Sequence, residues 1–319
     1  MPRTLRAPLL SLALLLVASM PRAKAQTALP PSFATSPKLQ ALVNSAARTA
    51  LDKFDEKKLL PTQLAVTLVD LGDAAKPAAA SFRGDVQIYP ASVIKLFYLA
   101  AAHRWMEGGK VSDTPELRRA MSDMIVHSYN EATGYVIDLL TGTTSGPELP
   151  DDEIKAWFDK RNAVNRHFTS IGYAGVNANK KPWCEGPYGR ETQAINAFTS
   201  KRNMLTTDAT ARLMVEIATG KCVSSKRSAE MLKLMSRNPA ATEKDRDSQA
   251  RFTGPALPAG AKLWSKAGWT SQTRHDAAYI ELPNGAKFVL IVFTTDHSGE
   301  KEIIHTVAKV IVDAMGTAK

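Results

Sequence analysis

Tyr89-Pro90-Ala91-Ser92-Val93-Ile94-Lys95-Leu96-Phe97-Tyr98-Leu99-Ala100 reads as the start of a helix: a proline stands just ahead of a run of apolar residues. Ser92 falls in the first turn, where the helix N-terminus favours negative charge on its oxygen. Positions i and i+3 share a helix face, so the Lys95 amine can lie beside the Ser92 hydroxyl. Lys95 is embedded between Ile94 and Leu96, and burial lowers a lysine pKa enough for the amine to act as a base. A second pair at this spacing, Ser298 and Lys301, sits among Asp296, Gly299, Glu300 and Glu302 and reads as a solvated turn.

Two further elements lie downstream. Ser128-Tyr129-Asn130 falls between predicted helices over 115–126 and 131–140. Both Ser128 and Asn130 suit a helix N-cap. In a non-helical turn they would instead project to one side, the hydroxyl to relay a proton and the amide to bind a substrate amide carbonyl. Lys266-Ala267-Gly268-Trp269 lies on a predicted strand, with Lys266 and Gly268 on one face. There the lysine offers positive charge and the glycine leaves room for substrate against the backbone. The Trp269 amide could then join the Ser92 amide as an oxyanion donor. The plain alternative is a solvated edge lysine beside a core tryptophan.

Outward from these elements, the periodicity changes along the chain. A helix is expected over 39–54, strands over 63–71 and near 79–83, and mainly helices from 91 to about 217, namely 92–106, 115–126, 131–140, 151–158 and 207–217. Strands return over 262–268, 277–282 and 287–294, with Pro283-Asn284-Gly285 as a hairpin turn. A last helix carries Ile303, Ile304, Val307, Val310, Ile311 and Ala314 on one stripe and stops at Gly316. This predicts an α/β (α+β) fold: one antiparallel sheet built from both chain termini, flanked by helices, with an inserted all-helical lobe. The expected division is a sheet lobe from 26–88 and 256–319 and a helical lobe over 89–255, with a site in the cleft between them.

Composition narrows the class. The 319 residues are 44% hydrophobic and 23% charged, which excludes a disordered or collagenous chain. Residues 1–25 place Arg3 and Arg6 before the apolar run Leu9 to Ala18 and end on Ala23-Lys24-Ala25, the layout of a secretory signal peptide. The apolar run is about half of what a membrane span requires. Losing this leader removes four basic and no acidic residues and lowers the net charge from +10 to +6. The remaining lysines and arginines are scattered in short pairs, so no nucleic-acid track is expected. The six histidines form no i,i+2 or i,i+4 pair, so neither metal nor other cofactor is expected. The mature product is expected to be a secreted or periplasmic monomer. Cys184 and Cys222 are either a disulfide or two buried thiols.

In order and spacing, the three elements resemble the serine β-lactamase and penicillin-binding protein superfamily, most closely the class A β-lactamases, with their S-x-x-K, S-D-N and K-T-G motifs. The similarity extends over nearly all of the chain after the leader, with Leu205-Thr206-Thr207-Asp208 opening a helix as the family's Thr-Thr-Pro segment does. It implies Ser92 as acyl nucleophile, Lys95 as partner in proton transfer and Ser128 as proton shuttle to the leaving nitrogen. It also implies that Asn130 binds the substrate side-chain amide and that Lys266 and Arg274 recognise the substrate carboxylate. The substrate would be a β-lactam or a peptidoglycan-like peptide.

The chain departs from the pattern in three places. Tyr129 replaces the usual aspartate, and Ala267 removes a hydroxyl expected to bind the carboxylate. The stretch from Ser128 to Thr206 is longer than the family's, and it must carry the carboxylate that activates the deacylating water. Glu191, 15 residues before Thr206 and flanked by Arg190 and Asn196, is the first candidate for that base, and Glu185 is its rival. A D,D-peptidase or related peptidoglycan hydrolase would share the fold and nucleophile but lack an efficient base. A non-turnover β-lactam or cell-wall binding module is the other alternative.

Overall fold

The computed structural model describes residues 33–183, 186–198, 202–242, 244–245 and 248–317. The expected leader 1–25, Cys184 and Glu185 lie outside the described residues. In chain order the strands are β1 (Ala34–Thr35), β2 (Leu64–Asp70), β3 (Ala78–Phe82), β4 (Ser236–Arg237), β5 (Lys262–Trp269), β6 (Thr273–Glu281) and β7 (Lys287–Thr295). The α-helices are α1 (Pro37–Lys53), α2 (Lys95–Glu107), α3 (Pro115–Ser122), α4 (Asn130–Thr141), α5 (Asp151–Arg161), α6 (Ala163–Ser170), α7 (Arg190–Ala197), α8 (Thr207–Ala218), α9 (Ser225–Met235) and α10 (Glu302–Thr317).

The strands form one sheet in the order β1-β3-β2-β7-β6-β5-β4, so strands from both ends of the chain meet at the β2–β7 ladder. The neighbours pair antiparallel except β1 with β3, which run parallel. β4, from the middle of the chain, closes the β5 edge.

Both faces of the sheet are covered. Behind it, α1 and α10 bury Val43, Ala46, Ile303, Val307 and Ile311 against Leu64, Val66, Leu68, Leu290 and Val292. In front, Ala65, Val69, Val289, Ile291 and Phe293 pack against the helical part of the chain. This double coverage explains why β2 and β7 are apolar on both faces, where a half-exposed antiparallel strand would alternate.

α2 lies at the centre of the front layer and is buried from Lys95 through His103 and at Trp105 and Met106. A helix enclosed all round needs an apolar surface on every side, and its alanines let its neighbours approach closely. That enclosure carries Lys95 into the interior.

The expected strands and long helices are present, with differences at five elements. α6, α7 and α9 were not anticipated; α6 and α7 are short and each buries only two residues, too few for a clear period. β6 begins at Thr273 rather than 277. α10 continues through Gly316 to Thr317, so that glycine does not end the helix. Its φ is not in the left-handed region that a glycine stop uses.

Candidate active site

Ser92 lies in a short 3-10 turn, Ala91–Ile94, that runs directly into α2. The residue before it, Ala91, has φ 45°, a conformation that costs a non-glycine residue on the order of 1–3 kcal/mol. The strained residue lifts the chain into the helix with Ser92 at its N-terminal end.

β5 passes directly against this turn at Gly268. A Cβ there would come within 2.7 Å of Pro90 O, 2.8 Å of Ser92 N and 2.9 Å of Val93 N. Only glycine permits this approach, because the atoms that would be struck are backbone and cannot swing aside. The hydrogen bond from Thr270 N to Thr273 O sets the alternation of the β5–β6 ladder. That alternation turns the Ala267 and Trp269 N–H groups away from β6, and Ala267 N donates to Gln249 Oε1 on that side at 3.2 Å. The Trp269 N–H is therefore directed to the same edge of β5 that meets Ser92.

Two fully buried lysines converge on Ser128. Lys95 Nζ donates to Ser128 O (2.5 Å), Asn130 Oδ1 (2.8 Å) and Ser128 Oγ (3.3 Å). Lys266 Nζ donates to Gln249 Oε1 (2.6 Å), Ala267 O (2.7 Å) and Ser128 Oγ (3.0 Å). Burying an amino group is costly unless its N–H groups find acceptors, and three acceptors surround each.

The backbone explains how Ser128 reaches both. After α3 the chain makes a π-turn over Asp123–His127 that ends on Ser128 at φ 60°, ψ 30°. Tyr129 takes the N-cap position of α4, and no side-chain hydrogen bond caps that helix. Ser128 and Asn130 thus serve the lysines, and the capping alternative does not describe them. Tyr129, in place of the family's aspartate, is 55% exposed and stacks on His127.

Gln249 had no signal in the sequence. It is 2% exposed, accepts from Lys266 Nζ and Ala267 N, and donates to Ile125 O (3.0 Å) and Val126 O (2.8 Å). It ties β5 to the π-turn that presents Ser128. Arg237 makes a parallel tie, donating to Ser265 O and Ile125 O.

Arg274 stands opposite Trp269 in the β5–β6 register, its guanidinium carbon 3.8 Å from the Phe252 ring centre. With Trp269, Phe252, Arg251, Lys301 and His305 it lines a cavity of about 390 Å³. Arg274, Arg251 and Lys301 give this wall positive charge, which suits an anionic group, and none of Ser92, Lys95, Ser128 and Lys266 lines it.

Ala267 is fully buried and belongs to the cluster behind the sheet, beside its register partner Asp276. This corrects the expectation about its missing hydroxyl: a side chain at 267 enters the core, not the cleft. Asp276 itself is buried and pushed up to about 6, burial being the main cause, against the opposing pull of Thr253, Arg237 and Lys266.

Glu191 belongs to a different cluster. Its carboxylate, 1% exposed, accepts from Arg161 Nη2 (2.8 Å) and Nη1 (3.3 Å) and from Ser145 Oγ (2.9 Å). Lys181 Nζ lies 3.9 Å away and pairs with Asp138 at 2.7 Å. Arg161 is fully buried and also donates to Thr143 Oγ1. This network forms the wall beyond Asn130, where Asp138, Ser145 and Lys181 line a cavity with Tyr135 and Trp183. It brings Glu191 to Arg161 and Ser145, whereas Ser92, Lys95, Ser128 and Lys266 gather around the β5–α2 junction.

A serine and two buried lysines around a second serine, with backbone amides directed at one edge, define a serine acyl-transfer site. The sequence profile of the Beta-lactamase enzyme family matches residues 106–315, and the chain belongs to that family. Its fold is similar to PBP-A, solved as an acyl-enzyme complex of a point mutant with penicillin G: 19% identity, TM-score 0.65, with 91% of this chain and 100% of that one covered. A β-lactamase from Sphaerobacter thermophilus is 19% identical with TM-score 0.59, covering 88% of this chain and 98% of the other. TLA-1 extended-spectrum β-lactamase is 15% identical with TM-score 0.63, covering 85% and 98%. No curated protein matches the chain in sequence.

Proposed function

We propose that the protein opens β-lactam rings through an acyl-enzyme on Ser92, as an exported class A-like serine β-lactamase. The observation that carries this reading is the Ser128 hydroxyl held between the Lys95 and Lys266 amino groups, next to the turn that presents Ser92. In the sequence of events, Ser92 Oγ attacks the lactam carbonyl while Lys95, as the neutral amine, takes its proton at Nζ and returns one to Ser128 Oγ as that hydroxyl protonates the ring nitrogen. Oxygen charge develops between the Ser92 and Trp269 amides, and Ser128 hands a proton to the departing ring nitrogen. Lys266 holds the carboxylate, with Arg274 supplying positive charge from the cavity beside Trp269, and Asn130 holds the side-chain amide.

The acyl-enzyme is then released by water activated by a carboxylate. Glu191 is engaged by Arg161 and Ser145, which leaves Glu185 as the leading candidate for that base. The same engagement favours a second reading, a D,D-peptidase-type hydrolase whose adduct persists. The leader-like residues 1–25 support export to the periplasm or medium, where a β-lactamase would protect the cell wall. Among the described residues no helix is long and apolar enough to cross a membrane.

Intact-mass spectrometry after mixing with a penicillin separates the readings. A transient adduct supports the lactamase, a persistent adduct the peptidase, and no adduct rejects both. Ser92→Ala should abolish the adduct while leaving the fold intact; an undiminished adduct in that variant overturns the assignment.

A further inference from the structure

His275 takes no part in the chemistry above, yet it is the register partner of Gly268, at the point where β5 meets the Ser92 turn. Its ring is fully buried and packs on Phe293 with centroids 4.5 Å apart. Both nitrogens are used. Thr294 N donates to Nδ1 at 3.1 Å, and Nε2 lies 2.9 Å from Tyr89 O. Because Nδ1 accepts from a backbone N–H, the proton of the neutral ring must be on Nε2, which then donates to the Tyr89 carbonyl. Burial pushes the imidazole down to about 4, so the ring is neutral throughout the physiological range.

Tyr89 is also held elsewhere. The preceding residue, Ile88, exchanges backbone hydrogen bonds with Leu205, and the Arg202 guanidinium carbon lies 4.1 Å from the Tyr89 ring centre. Neither contact reaches past Tyr89 toward Ser92. The next residues are Pro90, which has no N–H to donate, and Ala91 in its positive-φ conformation. A strained residue persists only where its surroundings over-determine it; the Pro90 carbonyl accepts from Val93 N (3.1 Å) within the turn itself, so the Tyr89 carbonyl is the group that ties the strained turn to the sheet.

We propose that His275 is a positioning residue that clamps the Tyr89 carbonyl to the sheet and thereby holds the 89–92 turn in the conformation that presents Ser92 and its amide. The clamp acts through backbone only, so it governs where the serine stands and not how substrate is bound. It rests on the reading of Ser92 as nucleophile for its catalytic consequence, but not for its effect on the turn.

Two variants divide the ring's hydrogen bonds. In His275→Asn the side-chain oxygen can replace Nδ1 as acceptor for Thr294 N, but nothing reaches Tyr89 O. In His275→Gln the amide nitrogen can stand where Nε2 stood and restore the donor. Hydrogen exchange of peptide 86–94 and the rate of acylation by a fluorescent penicillin are measured in both, alongside thermal stability.

His275→Asn should expose the peptide to faster exchange and slow acylation by about tenfold, with KM changed less than kcat, from loss of one buried hydrogen bond and the displacement that follows. His275→Gln should hold both near wild type. Equal behaviour of the two variants, or wild-type exchange in His275→Asn, overturns the proposal. Faster exchange in His275→Asn in a protein that penicillin never acylates supports the clamp and counts against Ser92 as nucleophile. Nitrogen-15 NMR of the wild-type imidazole gives a check that does not depend on variants folding: the Nε2–H tautomer is required, and an Nδ1–H tautomer rejects the clamp.

Discussion

Lys266 depends on an acceptor that contributes nothing to the reaction itself. Gln249 takes one proton of the ammonium and the Ala267 N–H through a single oxygen, and its amide nitrogen holds the carbonyls of Ile125 and Val126. Gln249→Leu keeps the approximate volume and removes all four bonds. The buried ammonium then loses an acceptor, a defect of about 1–3 kcal/mol, and Ser128 loses the tie that sets its turn. We expect kcat/KM for a penicillin to fall roughly tenfold to a hundredfold. Steady-state kinetics on the folded variant checks this, and an unchanged kcat/KM rejects the role assigned to Gln249.

Glu191 is the residue for which sequence position and surroundings point in different directions. Its spacing before Thr206 suits a deacylating base, while its partners are those of a structural ion pair with the buried Arg161. Breaking one side of a buried pair costs about 3–5 kcal/mol when a charge is left uncompensated. Glu191→Gln should therefore lower Tm clearly, while the folded fraction turns over penicillin without accumulating an adduct. A stable adduct on Ser92 in that variant would return Glu191 to the role of base.

At the scale of elements, the site is a junction of three pieces: the turn into α2, the π-turn before α4, and the end of β5. Their contact is tightest at Gly268, where three backbone atoms of the Ser92 turn lie under 3 Å from a hypothetical Cβ. Gly268→Ala must push the strand and the turn apart, and displacement of reacting groups by about 1 Å can cost on the order of a hundredfold in rate. We expect acylation to fall by roughly that factor and Tm to fall as well, since forcing buried backbone apart costs about 1–3 kcal/mol. Acylation at the wild-type rate in Gly268→Ala would show that the junction has slack the geometry does not suggest.

For the whole molecule, acid should be the more damaging direction of pH. Burial, the main cause in each case, holds His103 and His275 down at about 4 and lowers His167 as well. Unfolded histidines titrate near 6.5, so as pH falls below that value the unfolded chain takes up protons first and stability drops until the folded imidazoles titrate near 4. Asp276 acts oppositely: held at about 6 by burial, it takes its proton in the folded state first, and its contribution improves as pH falls through about 6. Asp138 and Asp208, also raised by burial, act as Asp276 does. Glu107, Asp113, Asp245, Glu281 and Glu302, each held low by hydrogen bonds or nearby cations, lose stabilisation as they take protons and add to the effect of the two imidazoles. Tm measured from about pH 7 down to about pH 4.5 should fall steadily. A flat or rising profile over that interval would mean the imidazoles are solvated.

The order of strands and helices, the helix start before Ser92 and the strand bearing Lys266 were legible because periodicity and turn chemistry are local properties of a few neighbouring residues. So was the grouping of Ser92, Lys95, Ser128, Asn130, Lys266 and Gly268, through the resemblance of their spacing. The convergence on Ser128 was decided in three dimensions, since its two lysines stand 33 and 138 residues away in sequence. The same holds for Gln249, which carries no motif, for Ala267, which faces the core, and for Glu191, which is bound by an arginine from α5. His275 reaches Tyr89 across 186 residues. Which partners a side chain meets depends on how elements distant in the chain pack against one another, and spacing along the sequence carries no record of that packing.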